Sequence, residues 1–388
     1  MADASQPEPD RGTLVDGNRL TLLTEGPDRL EALLGLIDGA GRSVRLLYYM
    51  YRNDHAGDQV HAAMERALDR GVSVSLLVDG FGAYTPDQYF TPLIDKGLTF
   101  CRFHPTYGRR YLIRCHQKLA LADEERVLIG GFNVEDDYFQ ETGSPGAWRD
   151  LGLMVEGPAA ARLAPYYDEL VGWALIKGAR IRALNRIIHR YSENHGSLQW
   201  TFGGPTRGLS PWARATSRDL LSSRDVEMIA AYFAPTWAML RRIGRISRKG
   251  RARIITAAKS DNNATIAAAR HSYSRLLRRH VEMYEYQAAK LHTKLAIVDD
   301  IVHIGSSNFD YRSLYINLEI MLRIKDAGFA AALRSYFERE LDDCTWITPE
   351  LHKRRSNPWR RLKWAFSHFL VNVMDYTVTR RLNFRPER

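Results

Sequence analysis

Two histidines and two lysines occur in this chain at one repeated spacing, and an asparagine follows each pair. Each copy has the form His-x-Lys-x-x-x-x-Asp, and a glycine-containing turn precedes the asparagine. Imidazole can attack phosphorus or transfer a proton, whereas ammonium and amide groups can bind phosphate oxygens. The repeat therefore predicts phosphodiester chemistry at one site shared by two similar halves. The matched residues are His116, Lys118, Asp123 and Asn133 in the first copy and His292, Lys294, Asp299 and Asn308 in the second.

The two histidines can divide the work of phosphoryl transfer. One imidazole would attack phosphorus to give a phosphohistidine, and the other would protonate the departing alkoxide and then deprotonate the incoming alcohol or water. The lysines and asparagines would bind the non-bridging oxygens, where charge accumulates in the transition state. This scheme needs no metal or cofactor, and the sequence contains no His-Glu-x-x-His segment and no paired Cys-x-x-Cys segments. We therefore expect a metal-independent site.

Each motif begins a predicted strand–turn–strand unit. His116 and Lys118 are two residues apart, so a strand would point both side chains into one cleft. Apolar residues follow as far as Asp123, which would begin a tight turn before a returning strand at 127–129. Asp123 and Asp299 fall at strand ends, where aspartate more often stabilises a turn. We therefore expect structural support from these two residues more than chemistry.

Two further carboxylates are candidates for orienting the histidines. A histidine nucleophile needs an acceptor on its second ring nitrogen to hold the correct tautomer. Asp150 follows the first motif in the phrase Trp-Arg-Asp, and Glu319 follows the second in Asn-Leu-Glu. We expect these carboxylates to orient the histidines, although each could also belong to a surface ion pair. The sequence leaves open whether each carboxylate orients the histidine of its own half or of the opposite half.

The paired motifs resemble those of the phospholipase D superfamily, and the surrounding phrases resemble its bacterial cardiolipin synthase branch. This resemblance covers roughly residues 18–348. It implies that His116 is the nucleophile and His292 the acid and base, and that Asp123 and Asp299 complete the motifs. The phrases that carry the second resemblance are Tyr48-Tyr49 with Asp54, Arg70-Gly71-Val72 before Asp79-Gly80, Trp148-Arg149-Asp150, Tyr232-Phe233 before Pro235, Tyr284-Glu285-Tyr286, and Asn308 with Asp310, Arg312, Ser313 and Leu314.

Strand and helix patterns alternate in both halves of the chain. The first half predicts a strand at 43–48, a helix at 58–69 and a strand at 72–78, and the second repeats this order within 226–257. The alternation favours parallel pairing with helices on both sheet faces. We therefore predict an α/β protein of two pseudo-symmetric α/β/α sandwich halves with the active site at their interface. The expected segments are a disordered N-terminus at 1–17, a first half at 18–191 (motif 116–133), a turn-rich junction at 192–222, a second half at 223–348 (motif 292–308) and a basic amphipathic tail at 349–388.

The chain has a formal net charge of +10, so an anionic partner is expected. Segments 177–191 and 358–381 combine basic residues with apolar residues at helical spacing, which is typical of helices that contact anionic membranes. Either helix could instead pack on the protein and present only its basic face to water. Nucleic acid is the less favoured partner, because the aromatic residues follow an apolar helix face and do not interleave with arginine.

The remaining expectations concern location and activity. No secretory signal and no apolar run of about 20 residues is visible, and the three cysteines make no disulfide framework. These features favour a peripheral protein on the cytoplasmic face of a membrane. With the resemblance, they lead us to expect a phosphatidyltransferase that makes cardiolipin from two phosphatidylglycerol molecules. The alternatives are a phospholipase D that releases phosphatidic acid, a phosphodiesterase or nuclease of the same superfamily, and a non-catalytic basic protein that binds membranes or nucleic acid.

Overall fold

The chain folds into two similar halves in the computed structural model, which describes residues 12–103, 113–206, 208–260 and 263–369. The first half begins at an edge strand and ends with a long basic helix. Its elements are β1 (Thr13–Val15), β2 (Asn18–Leu23), α1 (Gly26–Asp38), β3 (Ser43–Tyr48), α2 (His55–Asp69), β4 (Ser73–Asp79), α3 (Thr91–Asp95), β5 (Thr99–Phe103), β6 (Leu119–Ala122), β7 (Arg126–Gly130), β8 (Trp148–Arg149), β9 (Gly152–Glu156), α4 (Pro158–Ala161), α5 (Ala164–Leu175) and α6 (Ile181–Tyr191).

The second half repeats the order of the first and adds two helices after its last strand. Its elements are β10 (Leu198–Gly203), α7 (Pro211–Ser222), β11 (Asp225–Ala230), β12 (Phe233–Ala234), α8 (Trp237–Ile246), β13 (Arg251–Ala257), α9 (Asn263–Leu277), β14 (Glu282–Tyr286), β15 (Lys290–Leu291), β16 (Lys294–Val298), β17 (Ile301–Gly305), β18 (Phe309–Asp310), α10 (Tyr311–Tyr315), β19 (Glu319–Lys325), α11 (Ala327–Asp342), β20 (Cys344–Trp346), α12 (Pro349–Arg355) and α13 (Pro358–Phe369).

The two halves share one sheet topology. Each contains an eight-stranded sheet, with the order β1-β2-β9-β7-β6-β3-β4-β5 in the first half and β10-β19-β17-β16-β11-β13-β14-β20 in the second. Strands β3, β4 and β5 are parallel, as are their counterparts β11, β13 and β14. The other neighbours pair antiparallel, including the motif hairpins β6–β7 and β16–β17. The predicted two-half α/β fold is confirmed, although parallel pairing covers only part of each sheet.

Helices cover both faces of each sheet. α1 and α2 pack on the outer face of the first sheet, and α7, α8 and α9 pack on the outer face of the second. Between the sheets lies one apolar core to which both sheets, α5, α6 and α11 contribute. Leu121 and Val155 of the first sheet and Ile297 and Ile320 of the second are buried there. Because this core is shared and closely packed, it holds the halves in a fixed relation across which a site can be built.

The segment boundaries differ from the expected ones in two places. The sequence predicts disorder up to residue 17, but Thr13–Val15 forms the edge strand β1, and residues 1–11 lie outside the described ranges. The turn-rich junction 192–222 is also largely regular structure. Its strand β10 pairs with β19 at the edge of the second sheet, and its helix α7 packs on that sheet's outer face. The Gly, Pro and Ser residues of this segment correctly indicate its loops, but they do not indicate that β10 is the edge strand of the second sheet.

The two predicted basic helices place their apolar sides in different surroundings. α6 buries Leu184, Ile187 and Ile188 against α5 and β10, so the apolar side of segment 177–191 is not available to a membrane. α13, by contrast, leaves Trp359 and Phe366 exposed to solvent. The rest of the predicted tail helix, 370–381, lies outside the described residues. None of the helices in the described part of the chain is long and apolar enough to cross a bilayer.

A buried ion pair joins the two halves beside the second motif. Arg149 of β8 donates through Nε to both carboxylate oxygens of Glu340 in α11, at 3.0 and 3.1 Å, and through Nη1 to Glu25 at 2.5 Å. Arg149 and Glu340 are both buried. Removal of the cation would leave Glu340 buried without its partner, so we expect Arg149→Ala to lower the free energy of unfolding by about 3–5 kcal/mol.

An exposed ion pair of the second half provides the control for this prediction. Arg251 bonds Glu282 at 2.8 Å, but more than half of the Arg251 side chain is exposed. Because solvent screens such a pair, Arg251→Ala should cost less than about 1 kcal/mol. Chemical denaturation of both variants measures the difference. Equal losses of stability would contradict the inference that the Arg149 pair holds the halves together.

Candidate active site

The backbone of His116 is held by the second half. Cys115 forms a parallel bridge to Leu318, and the His116 amide donates to the Leu318 carbonyl at 2.9 Å. The Leu318 amide in turn donates to the Arg114 carbonyl, also at 2.9 Å. Within the first half, Asp79 at the end of β4 accepts from the Cys115 amide at 2.7 Å. These bonds fix His116 where the two sheets meet.

The backbone of His292 is held by the first half in the same way. β15 ends one residue before it and pairs in parallel with β8. The amides of His292 and Thr293 both donate to the Arg149 carbonyl, at 2.7 and 3.2 Å. Each half therefore supplies the short segment against which the histidine of the other half is positioned.

The carboxylates next to these bridges reach the opposite histidine. Glu319 Oε1 and Oε2 in the second half each lie 3.1 Å from His116 Nδ1 in the first. Asp150 Oδ2 in the first half lies 2.7 Å from His292 Nδ1 in the second. Both carboxylates are fully buried, whereas 13% of the His116 side chain and 6% of the His292 side chain remain exposed. The question that the sequence leaves open is thus answered, because each carboxylate contacts the histidine of the opposite half.

Each motif lysine is buried beside the histidine of its own motif. Lys118 Nζ donates to the His116 carbonyl at 2.7 Å, and Lys294 Nζ donates to the His292 carbonyl. Burial, together with the charge of Lys294, lowers the pKa of Lys118 to about 7 in spite of the opposing charge of Glu319. The charge of the second motif's lysine thus acts on the lysine of the first motif. A bound phosphodiester anion would favour the ammonium form of both lysines, which can then bind its non-bridging oxygens.

The motif asparagines are buried at the ends of the hairpins. Asn133 Oδ1 accepts from the Met50 amide at 3.1 Å, and its Nδ2 donates to the Tyr138 hydroxyl at 3.2 Å. Asn308 Oδ1 has no hydrogen-bond partner among the described residues, although the side chain is buried. An unsatisfied buried amide can serve a ligand. In the same ranges, no three His, Cys, Asp or Glu side chains are grouped so that they could hold a metal ion.

Burial lowers the pKa of both motif histidines. The pKa of His292 falls to about 3, because burial and the charge of Lys294 outweigh the favourable charge of Asp150. Burial, with the charges of Lys118 and Lys294, also holds the pKa of His116 well below its usual range. Both imidazoles are therefore neutral at pH 7. A neutral ring with an unprotonated nitrogen is what a nucleophile requires.

The two histidine–carboxylate pairs differ in their surroundings. Burial raises the pKa of Glu319 to about 8, and Ser306 Oγ donates to its Oε2 at 2.5 Å. Burial also opposes ionisation of Asp150, but the basic groups of the second motif prevail and hold the pKa of that carboxyl below its usual range. The position that corresponds to Ser306 in the first copy is Gly131. Asp150 is therefore an anion at pH 7, whereas Glu319 is largely protonated.

Asp123 and Asp299 are not brought to the histidines. They occupy equivalent places in the two hairpin turns, with φ angles of 54° and 50°, and lie at the strand ends remote from the histidines. Asp123 accepts from the amides of residues 41–43 at 2.7–2.8 Å. Asp299 accepts from the amides of Arg224 and Asp225, at 3.1 and 2.9 Å. Asp123 thus connects its hairpin to the start of β3, and Asp299 connects its hairpin to the start of β11. These contacts fit the structural role expected from the positions of the two residues.

Aromatic rings without a predicted role surround both histidines. The Tyr49 ring lies 5.0 Å from the His116 ring, centroid to centroid. Tyr138 and Trp148 stack on each other and contact the His292 ring at 5.1 and 5.3 Å. These rings exclude water from the flanks of the imidazoles. Tyr49 and Trp148 belong to phrases that carry the family resemblance, whereas no sequence signal marks Tyr138.

Gly131 leaves the space that the Asp150 carboxylate occupies. A Cβ at position 131 would lie 2.6 Å from Asp150 Oδ2 and 2.7 Å from Oδ1, closer than real contacts allow. We expect Gly131→Ala to displace this carboxylate from His292 and to lower kcat about 100-fold, because small misplacements of catalytic groups have effects of this order. Gly172→Ala is the control, since a Cβ at that helical position meets nothing within 4 Å. Steady-state kinetics on both folded variants measures the effect, and an unchanged kcat in Gly131→Ala would contradict it.

Comparison with known proteins agrees with the fold and with its organisation in two halves. A family model described as cardiolipin synthase, PLD-like domain, matches residues 33–162 and 218–341. The first match contains the first motif, the second match contains the second motif, and together they cover more than half of the chain. The chain therefore belongs to this cardiolipin synthase-like family and is an enzyme of the phospholipase D superfamily.

Individual relatives cover nearly the whole chain. The cardiolipin synthase of Listeria welshimeri is 25% identical over 383 residues, which cover 94% of this chain and 77% of the relative. Cardiolipin synthase A of Edwardsiella ictaluri is 29% identical over 360 residues, which cover 88% of this chain and 74% of the relative. Among solved structures, phosphatidylserine synthase of Haemophilus influenzae has a TM-score of 0.73 at 14% identity and covers 93% of this chain and 94% of that one. At this identity the likeness concerns the fold alone.

Proposed function

We propose that this chain is a phosphatidyltransferase that makes cardiolipin from two phosphatidylglycerol molecules through a phosphohistidine intermediate, without a metal ion. The observation that carries the proposal is the crossed site, in which His116 meets Glu319 and His292 meets Asp150 between the two halves. The buried lysines beside them suit an anionic phosphodiester. The relatives named as cardiolipin synthases support the choice of product.

In the first half-reaction, His116 Nε2 attacks the phosphorus of one phosphatidylglycerol. When the anionic lipid binds, His292 takes up a proton from solvent on Nε2 and becomes the imidazolium. A P–N bond then forms, the P–O bond to the glycerol headgroup breaks, and the leaving oxygen takes this Nε2 proton, so that glycerol departs. The Nδ1–H of His116 stays donated to Glu319, which keeps an Nε2 lone pair for the attack. Lys118 and Lys294 bind the non-bridging oxygens as their charge increases.

In the second half-reaction, the hydroxyl of a second phosphatidylglycerol attacks the phosphorus. Its proton passes to His292 Nε2, the new P–O bond forms, and the P–N bond to His116 breaks. Cardiolipin leaves, and both imidazoles return to their starting protonation states. Water in the place of the lipid hydroxyl would give phosphatidic acid by the same steps.

The asymmetry of the two pairs supports the order of the roles. An acid and base passes through the imidazolium form, and the ionised Asp150 stabilises that form on His292. A bound anionic phosphodiester offsets the lysine charges and so favours protonation of this ring. Glu319, whose pKa burial raises to about 8, instead favours a neutral ring on His116. We therefore assign His116 as the nucleophile and His292 as the acid and base.

The proposed enzyme would meet its lipids at the cytoplasmic face of a membrane. The exposed Trp359 and Phe366 of α13, with the basic residues beside them, support membrane contact by segment 358–381. Segment 177–191 has no exposed apolar side with which to enter a membrane, because that side is buried.

Incubation of the purified chain with phosphatidylglycerol vesicles, followed by mass spectrometry of the lipids and the released alcohol, tests the proposed reaction. We expect cardiolipin and glycerol in equal amounts, at a rate that EDTA leaves unchanged. Phosphatidic acid as the sole lipid product would make the chain a phospholipase D. Cleavage of an oligonucleotide without lipid turnover would favour the nuclease, and the absence of both activities would favour a non-catalytic binding protein.

A further inference from the structure

Three helical segments of the second half carry only positive charge. Segments 237–250, 263–280 and 358–369 contain α8, α9 and α13 with the turns that follow α8 and α9. Together they hold twelve Lys and Arg residues and no Asp or Glu. The counterpart of α8 in the first half, α2, has one Arg and three acidic residues. The corresponding helices α8 and α2 thus differ in the sign of their charge, although the catalytic motifs are symmetric.

These helices form one continuous surface, which we call the α8–α9–α13 surface. α13 packs along α9, where His368 lies 4.7 Å from His271 between ring centroids. Trp237 at the start of α8 lies 6.4 Å from His368, and the guanidinium of Arg275 in α9 rests on the Trp237 ring. A stretch of surface that runs from α8 through α9 to α13 is therefore basic without interruption.

The cations of this surface are not neutralised within the described structure. Arg270 bonds Glu285 at 2.8 Å, but none of the other Lys and Arg residues of the three segments forms a salt bridge to a described residue. Around α1, α2 and α3 of the first half, by contrast, Arg66 bonds Asp38 and Lys96 bonds both Glu65 and Asp69. Arginines that serve only to solvate a surface are commonly balanced by acids, as they are there. An unbalanced cluster indicates an anionic partner.

An apolar stripe runs along the outer side of α13. Trp359, Leu362, Phe366 and Phe369 are 81%, 62%, 59% and 46% exposed, and they recur at the spacing of one helix face. The helix is attached to the protein by a different residue, Trp364, which is buried and stacks on His352 at 5.4 Å. The stripe is therefore not needed to pack α13 against the body. Exposed Trp, Phe and Leu beside Arg and Lys match the two layers of a bilayer surface, acyl chains below and phosphates above.

We propose that the α8–α9–α13 surface is the docking surface for an anionic phospholipid bilayer. This inference rests on the proposed function in one respect, because it names the partner from which the enzyme takes its lipids. A bilayer fits better than nucleic acid, because the aromatic side chains form a stripe with Leu362 on one helix face and do not alternate with arginine as a base-stacking platform would. Nine of the twelve cations lie on α8, on α9 and in the turns after them, and the apolar anchor lies on α13.

The contribution of charge can be tested with two variants that change net charge equally. Arg241, Arg245, Arg248 and Lys249 are exposed residues of the docking surface, and Gln at all four positions removes four charges there. The control replaces Lys177 and Arg180, which are exposed just before α6, and Arg182 and Arg186, which are exposed on it, with Gln. Co-sedimentation of the full chain with phosphatidylcholine vesicles, with and without phosphatidylserine, measures docking on lipids that are not the substrate. A charge near such a surface is worth about fivefold in binding, so we expect a loss of roughly 100-fold or more for the first variant and little for the control.

The apolar stripe is tested with Trp359→Ser, Leu362→Ser and Phe366→Ser combined. Their exposure predicts a folded protein, and we expect vesicle binding to fall in high salt as well as in low salt. The charge variant should lose mainly the binding that salt screens. Equal losses in the two charge variants would overturn the proposal. It would also be overturned if wild-type protein bound an oligonucleotide but not the vesicles, or if the stripe variant changed only self-association.

Failure of the docking surface and failure of the proposed reaction give different results. A short-chain phosphatidylglycerol in free solution needs no docking, so the charge variant should turn it over at the wild-type rate. If the vesicles bind as expected but no lipid is turned over, the proposed reaction is refuted and the docking surface is supported. If lipid is turned over but neither the charge variant of the docking surface nor the stripe variant changes vesicle binding, the docking surface is refuted and the reaction is supported.

Discussion

We expect His116→Ala to lower turnover by at least about 10⁴-fold and His292→Ala to lower it by about 10²–10⁴-fold. The first value reflects loss of the nucleophile, for which no other group in the site can substitute. The second reflects loss of general acid and base catalysis, whose contribution is of this order. Both histidines lie at the interface of the halves, with Nδ1 held by Glu319 or Asp150. Rates of cardiolipin formation measure the losses, and His195→Ala, at an exposed position outside the site, should be unaffected.

The two variants should also respond differently to the leaving group. A phosphatidyl ester of p-nitrophenol releases a phenolate that needs no proton, so it bypasses the acid in the first half-reaction. We expect His292→Ala to release a stoichiometric burst of p-nitrophenol from this substrate and His116→Ala to release none. A burst from His116→Ala alone would reverse the assigned roles, and full activity of both variants would contradict the two-histidine mechanism.

We expect Asp150→Asn to lower kcat by about 10³–10⁴-fold and Glu319→Gln to have a smaller effect at pH 7. An Asn amide would donate to His292 Nδ1, which selects the wrong tautomer and removes the anion that stabilises the imidazolium. Glu319 is largely protonated at pH 7, because burial raises its pKa to about 8. A Gln carbonyl there is also neutral and can still accept from His116 Nδ1. Neutralisation therefore changes the Asp150 pair more than the Glu319 pair.

The difference between the two carboxylates also predicts a pH dependence. Above about pH 8 the wild-type Glu319 ionises and Gln cannot, so the ratio of wild-type to Glu319→Gln activity should be larger at pH 9 than at pH 7. Asp150 is ionised throughout this range, because the basic groups of the second motif hold its pKa low. The Asp150→Asn defect should therefore be constant from pH 7 to pH 9. Steady-state kinetics of wild type and both variants from pH 7 to pH 9 measures these activity ratios. If the ratios of wild type to Glu319→Gln and of wild type to Asp150→Asn change in parallel with pH, the inferred difference between the two carboxylates is wrong.

The local structure of each motif is predictable from sequence, whereas the way the motifs meet is not. The repeated spacing, the continuous apolar runs and the turn aspartates define hairpins β6–β7 and β16–β17, since these patterns involve only residues close in sequence. The crossing of Asp150 and Glu319 to the opposite histidines depends on the two-residue pairing of β8 with β15 and on the bridge at Leu318. These contacts join residues more than a hundred positions apart and leave no periodic signal in the sequence.

The two basic helices show the same limit of sequence patterns. α6 and α13 both have an apolar side and a basic side, but Ile187 is buried in the shared core whereas Phe366 faces solvent. The pattern indicates which side is apolar, and only the packing of neighbouring elements decides whether that side is covered.

The difference between Ser306 and Gly131 is visible when the two copies of the motif are compared. The sequence does not show, however, that Gly131 leaves the space that the Asp150 carboxylate occupies, because it does not specify where that carboxylate lies.

The measurement that tests the central claim most directly is the intact mass of His292→Ala after incubation with phosphatidylglycerol vesicles, followed by peptide mapping. In this variant the first half-reaction slows and the second, which needs the base, should slow as well, so the covalent intermediate has time to accumulate. We predict a mass increase of one phosphatidyl group, located on the peptide that contains His116, with glycerol released in equal amount. An adduct on His292 in His116→Ala, or cardiolipin formation by wild-type protein that never carries an adduct, would contradict the proposed mechanism.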